Sequence, residues 1–83
     1  MYYVYVLQNH EGTLYKGHTR DMTKRMREHN AIDGPSRYTK GKGPWILVHV
    51  EEYMTRAKAM MREQFLKTGK GREFLSQKIR APH

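Results

Sequence analysis

At 83 residues the chain is read as a single domain over 1–83, since two halves of that size could not each bury a stable core. Its 16 Lys+Arg against 8 Asp+Glu leave a formal charge of +8, which attracts polyanions and makes nucleic acid the first partner to consider. Its longest apolar runs are too short to span a bilayer, neither main helix segment has a membrane-surface face, no secretory signal is visible, and the absence of cysteine removes disulfides and thiolate metal sites and fits a reducing cytoplasm.

Residues 2–7 (YYVYVL) are aromatic and β-branched, and their near-continuous apolarity predicts a strand buried on both faces. Asn9-His10-Glu11-Gly12 supplies turn chemistry, so 13–17 reads as the return strand of a hairpin ending at Gly17. Tyr5 and Tyr15 then face each other or lie at neighbouring levels. Thr19 or Asp21 offers an N-cap for a helix with Met22, Arg25, Met26, His29 and Ile32 on one side and Lys24, Arg27 and Glu28 on the other. Residues 33–44 (DGPSRYTKGKGP) read as a loop long enough to be functional. A third strand is predicted over 45–50 (WILVHV), ending at Glu51-Glu52, and Thr55 caps a helix to about Thr68 with Gly69 as its C-cap. A short last helix over 70–79 buries Phe74 and Leu75 and leaves 81–83 as a tail. The expected fold class is α+β: a small, mainly antiparallel three-stranded sheet flanked by helices, in the order β-β-α-β-α-α.

Arg25 and His29 stand one helical turn apart inside an apolar stripe. Either alone reads most simply as a snorkelling or hydrogen-bonded residue. Together they suit a phosphate: a guanidinium that keeps its charge, beside an imidazole that can handle protons. Glu63 is either an exposed partner of Lys67 at i, i+4 or, on so basic a surface, the holder of a hard divalent cation. Tyr2, Tyr3 and Tyr53 read as core and strand residues, whereas Tyr5, Tyr15 and Tyr38 have small or polar neighbours that leave a phenol oxygen at a surface, where nearby cations would ease loss of its proton. The five histidines include no close pair of the kind zinc motifs use.

Taken together, Tyr3-Val4-Tyr5, Tyr15-Lys16-Gly17, Arg25 and His29 within KRMREHN, Tyr38-Thr39-Lys40-Gly41 before Pro44-Trp45, and Arg62-Glu63 resemble the GIY-YIG endonuclease superfamily. The likeness is greatest to its small stand-alone bacterial members of the YhbQ type, akin to the nuclease domain of UvrC. Tyr3 stands where the first half-motif has its leading glycine, Lys16 where an apolar residue is usual, and no asparagine follows Glu63. The resemblance implies the GIY-YIG fold and a metal-dependent endonuclease of DNA repair or processing, with low sequence specificity and structure-specific cutting left open. It also implies Mg²⁺ or Mn²⁺ on Glu63, charge neutralisation by Arg25, and proton acceptance by Tyr5 with Tyr15 or His29. Lys16, His18, Arg20, Tyr38, Lys40, Lys42 and Lys67 would then line the path of the DNA strand. A non-catalytic nucleic-acid-binding module of the same fold is the alternative, and a protein-interaction domain with incidental charge is a third.

Overall fold

Strand β1 (Tyr2–Gln8) is the middle of a three-stranded sheet of order β2-β1-β3, paired antiparallel to β2 (Leu14–Thr19) on one side and to β3 (Ile46–Tyr53) on the other. Helices α1 (Met22–Asn30), α2 (Arg56–Leu66) and α3 (Gly69–Arg80) complete the order β-β-α-β-α-α of an α+β fold. The computed structural model describes residues 1–30 and 43–80. Ile32, Tyr38, Lys40, Lys42, most of the expected 33–44 loop and the 81–83 tail lie outside the described residues.

The continuous apolarity of β1 follows from its central place. Val4 and Val6 face α2 and α3, packing with Ala59, Leu66 and Leu75, while Tyr5 and Leu7 face the other way, towards Trp45, Tyr15, Met22 and Met26. All four β1 residues are fully buried. The hairpin into β2 is closed by Asn9, whose Oδ1 accepts from the backbone N–H groups of Glu11 (3.0 Å) and Thr13 (2.9 Å), with Gly12 at φ +85° in the left-handed region. Asp21 caps α1 by accepting from the Lys24 amide at 3.0 Å, and Thr19 in turn accepts from the Asp21 amide at 3.1 Å. Of the two N-cap candidates, Asp21 is therefore the cap, and Thr19 only braces it from outside the helix.

Four expectations need correction. Strand β2 runs on to Thr19 rather than stopping at Gly17, because Gly17 is paired with Tyr5 inside the ladder. Strand β3 starts after Trp45, whose backbone is instead clamped by Asn30, with Trp45 N donating to Oδ1 at 2.6 Å and Nδ2 donating to Trp45 O at 3.2 Å. It also passes through the acidic pair to Tyr53. Glu51 does not end the strand because Arg62 on α2 donates to both its carboxylate oxygens, at 2.8 and 3.1 Å, alongside Tyr53 Oη at 2.6 Å and His49 Nε2 at 2.7 Å. Those partners overcome the upward push of burial and hold the Glu51 carboxyl at a pKa of about 2.

The fourth correction concerns the α2–α3 corner. Helix α2 ends at Leu66, and Gly69 opens α3 rather than capping α2, since Thr68 Oγ1 accepts from the Gly71 amide at 3.1 Å. A Cβ at Gly71 would run into the Phe65 carbonyl and the Leu66 backbone, so glycine is what allows α3 to fold back closely on α2. Among the described residues no helix is long and apolar enough to cross a membrane.

Candidate active site

Glycine at position 17 is the first condition of the site. Tyr5 pairs with Gly17 across the β1–β2 ladder, and a Cβ there would stand 2.6 Å from Tyr5 Oη and 2.8 Å from Cζ. The phenol lies in the space that a side chain would fill. Tyr15 sits at the neighbouring level, opposite Leu7, with its ring centroid 6.3 Å from that of Tyr5 and 4.8 Å from that of His29.

Helix α1 brings its polar stripe residues to that phenol. His29 Nε2 is 2.8 Å from Tyr5 Oη, Arg25 Nε donates to the same oxygen at 3.2 Å, and Arg25 Nη1 reaches Glu28 Oε1 at 2.9 Å. His29 is only 1% exposed. Burial, reinforced by the Arg25 charge, pushes its pKa down to about 4, so the ring is neutral near pH 7. The expectation that nearby cations ease proton loss from Tyr5 is reversed: burial outweighs the Arg25 hydrogen bond and charge and drives the phenol up to about 12. With the phenol protonated and the imidazole neutral, the Tyr5 hydroxyl donates to His29 Nε2 and accepts from Arg25.

Glu63 approaches from the other side of the sheet, on α2. Its Oε1 accepts from His18 Nδ1 at 2.7 Å and its Oε2 from Lys67 Nζ at 3.0 Å, with the side chain 16% exposed. Burial raises its pKa, but the hydrogen bonds and charges of His18 and Lys67 more than offset this and hold the carboxyl below its ordinary value. An ionised carboxylate is thus fixed against β2 at His18, the residue after Gly17. Its charge is felt at Tyr5, where it adds to the upward shift. Strand β2 is the divider, with Tyr5, Arg25 and His29 on one face, Glu63 on the other, and Gly17-His18 between them.

His18 also lines an open groove with Thr19, Arg20, Asp21, Lys24, Arg25 and Glu28. Arg20 is exposed, with its guanidinium 5.4 Å from the Tyr2 ring centroid, and Lys16 is half-buried on β2. His18 and Lys67, expected along a strand path, are engaged with Glu63. Glu28, expected on the solvent side of α1, turns back to Arg25, a pairing that its i, i+3 spacing could have disclosed. No local signal links His18 to Glu63, which are 45 positions apart.

The His29 environment has a consequence for stability. Its folded pKa of about 4 lies below the unfolded value of about 6.5, so the unfolded chain takes up the proton first as pH falls. The His29 contribution is fully present above pH ~6.5 and is lost progressively down to pH ~4, a change on the order of 3 kcal/mol. Urea midpoints measured across that window should fall for the parent and change much less for His29→Gln. Parallel curves for the two proteins would refute this reading of the buried imidazole.

A family model described as the GIY-YIG catalytic domain matches residues 1–78. A UPF0213 protein of Halobacterium salinarum is 43% identical over 67 residues, covering 81% of this chain and 86% of that protein. A UPF0213 protein of Staphylococcus aureus is 37% identical over the same length, covering 81% and 80%. Among solved structures, the solution NMR structure of the UPF0213 protein BH0048 of Bacillus halodurans aligns with a TM-score of 0.58 at 30% identity, covering 99% of this chain and 89% of that one.

Proposed function

The chain belongs to the GIY-YIG catalytic-domain family, and from that premise we propose that it is a divalent-metal-dependent endonuclease that hydrolyses DNA phosphodiester bonds with low sequence specificity, in repair or processing. One observation carries the proposal: an Arg25–Tyr5–His29 hydrogen-bonded chain and an ionised Glu63 meet at β2 from opposite faces of the sheet.

The residues present suit a hard cation held by a single protein carboxylate. Glu63 is ionised, and each of its oxygens has a further lone pair beyond the one used by His18 or Lys67. Among the described residues no group of three or more His, Cys, Asp or Glu converges on a metal cage, so water and substrate phosphate would complete the shell around Mg²⁺ or Mn²⁺. Bound there, the ion would supply Lewis-acid polarisation of the scissile phosphate and charge compensation at the leaving 3′ oxygen.

The chain's own residues supply the rest. Arg25 keeps its charge at any working pH and offers N–H donors to phosphoryl oxygens beyond those spent on Tyr5 and Glu28. Tyr5, with a pKa of about 12, is not a phenolate base by itself. As Tyr5 passes its proton to His29 Nε2, its oxygen can take the proton of the attacking water, so the pair acts as a relay with no free phenolate. Arg20 and Lys24, beside His18 in the groove, would hold backbone phosphates without reading bases, and the family resemblance gives Lys40, Lys42 and Tyr38 the same part.

A binding module without turnover is favoured by one feature, that both Glu63 oxygens already have partners. The two readings separate when purified protein is incubated with labelled single-stranded, duplex and flapped DNA in Mg²⁺, Mn²⁺ or chelator. Cutting in metal that leaves 5′-phosphate ends and stops in chelator is the expected result. Binding without cutting of any substrate in either metal would overturn it.

A further inference from the structure

A second groove lies along β2, lined by Leu14, Tyr15, Lys16 and Lys67. Its two cations come from different elements, Lys16 from the strand and Lys67 from the C-cap of α2. Arg72, in the first turn of α3, adds a third positive charge whose field reaches Lys16. Arg72 follows Gly71, the position at which α3 packs against the Phe65–Leu66 backbone, one residue before Lys67.

The cluster is electrostatically incomplete. Among the described residues Lys67 pairs with Glu63 at 3.0 Å, whereas neither Lys16 nor Arg72 has an acidic partner. Burial first, then the charges of Arg72 and Lys67, lower the Lys16 pKa, so Lys16 is held against the repulsion of both. An anion entering the groove relieves that repulsion. Lys67 ties the groove to Glu63, and Lys16 stands two residues along the strand from His18, about 7 Å, comparable with the step between neighbouring phosphates of an extended nucleic-acid strand.

We infer that Lys16, Lys67 and Arg72 form a backbone-phosphate site next to the phosphate at Glu63, with Arg72 as a substrate contact that belongs to neither the Tyr5 relay nor the carboxylate. The identity of the anion rests on the nuclease reading above. The arrangement sets a path for the strand, from the Arg20–Lys24 groove past His18 and Glu63 to the Leu14 end of β2.

The test measures binding and cutting separately. Affinity for a labelled single strand and for its duplex is followed in chelator across a salt series, for the parent, Arg72→Gln and the control Lys58→Gln, at an exposed position on α2. Arg72→Gln should weaken binding about 5-fold and make the slope of log affinity against log salt shallower by about 0.7 to 0.9. Lys58→Gln should have a much smaller effect on both. Because one repulsive charge is gone, the melting temperature of free Arg72→Gln should rise, by about 2 °C. Unchanged affinity and slope, or weaker binding accompanied by a lower melting temperature, would overturn the inference. Cutting by the parent with no slope change in Arg72→Gln removes this site and keeps the nuclease, whereas a slope change without cutting by the parent does the reverse.

Discussion

Glu63→Gln is expected to lower DNA cleavage by about 10³-fold while leaving DNA affinity in chelator unchanged or slightly tighter. The substitution keeps the size of the side chain and an oxygen that can still accept from His18 Nδ1, and removes the negative charge. If that charge holds the cation, its loss costs several kcal/mol of transition-state stabilisation, and about 4 kcal/mol corresponds to 10³ in rate. Affinity should not fall, because a negative charge is removed from a +8 surface. Some stability should be lost as well, because the contacts of the ionised carboxylate with His18 and Lys67 outweigh the cost of its burial in the folded protein. Cleavage within tenfold of the parent would place the cation elsewhere. A parallel loss of affinity would make Glu63 a structural residue, through its hold on β2.

Gly17→Ala is expected to reduce cleavage by about 100-fold and to destabilise the fold by about 2 kcal/mol. Two effects compete. Alanine in a strand interior is favoured over glycine by about 0.5–1 kcal/mol through backbone entropy. Against this, the new Cβ falls 2.6 Å from Tyr5 Oη and 2.8 Å from Cζ, and the buried phenol is hemmed in by Tyr15, His29 and Arg25. Moving the ring breaks the bonds to His29 and Arg25, and unmade buried hydrogen bonds cost about 1–3 kcal/mol. The clash wins. A double-mutant cycle with Tyr5→Phe isolates the contact: without the phenol oxygen the nearer of the two overlaps is gone, so alanine should cost less in that background. Equal costs in both backgrounds, or parent-like cleavage by Gly17→Ala, would show that Tyr5 can leave its position without consequence.

The element order was legible because it rests on local patterns. The apolar run of β1, the Asn9 to Gly12 turn, the Asp21 and Thr55 caps and the stripe of α1 involve residues within a few positions of one another. The nearness of Arg25 to His29 was equally legible, since four residues of helix make one turn. Strand ends were harder. Glu51 looked like a terminator, and the partner that keeps it in β3 is Arg62, 11 positions away on α2.

From residue order alone came the hairpin, the three helices, the excess of positive charge and the face of α1 that carries Arg25 and His29, all of them consequences of short-range periodicity and composition. Distant contact and loss of water settled the rest: the phenol of Tyr5 under the bare backbone of Gly17, its pKa driven up rather than down, His18 on Glu63, and Lys16 crowded by Arg72. Whether a titratable group keeps its proton depends on how much solvent the fold removes from it and on which charges the fold brings near. Neither quantity exists until the strands and helices have packed.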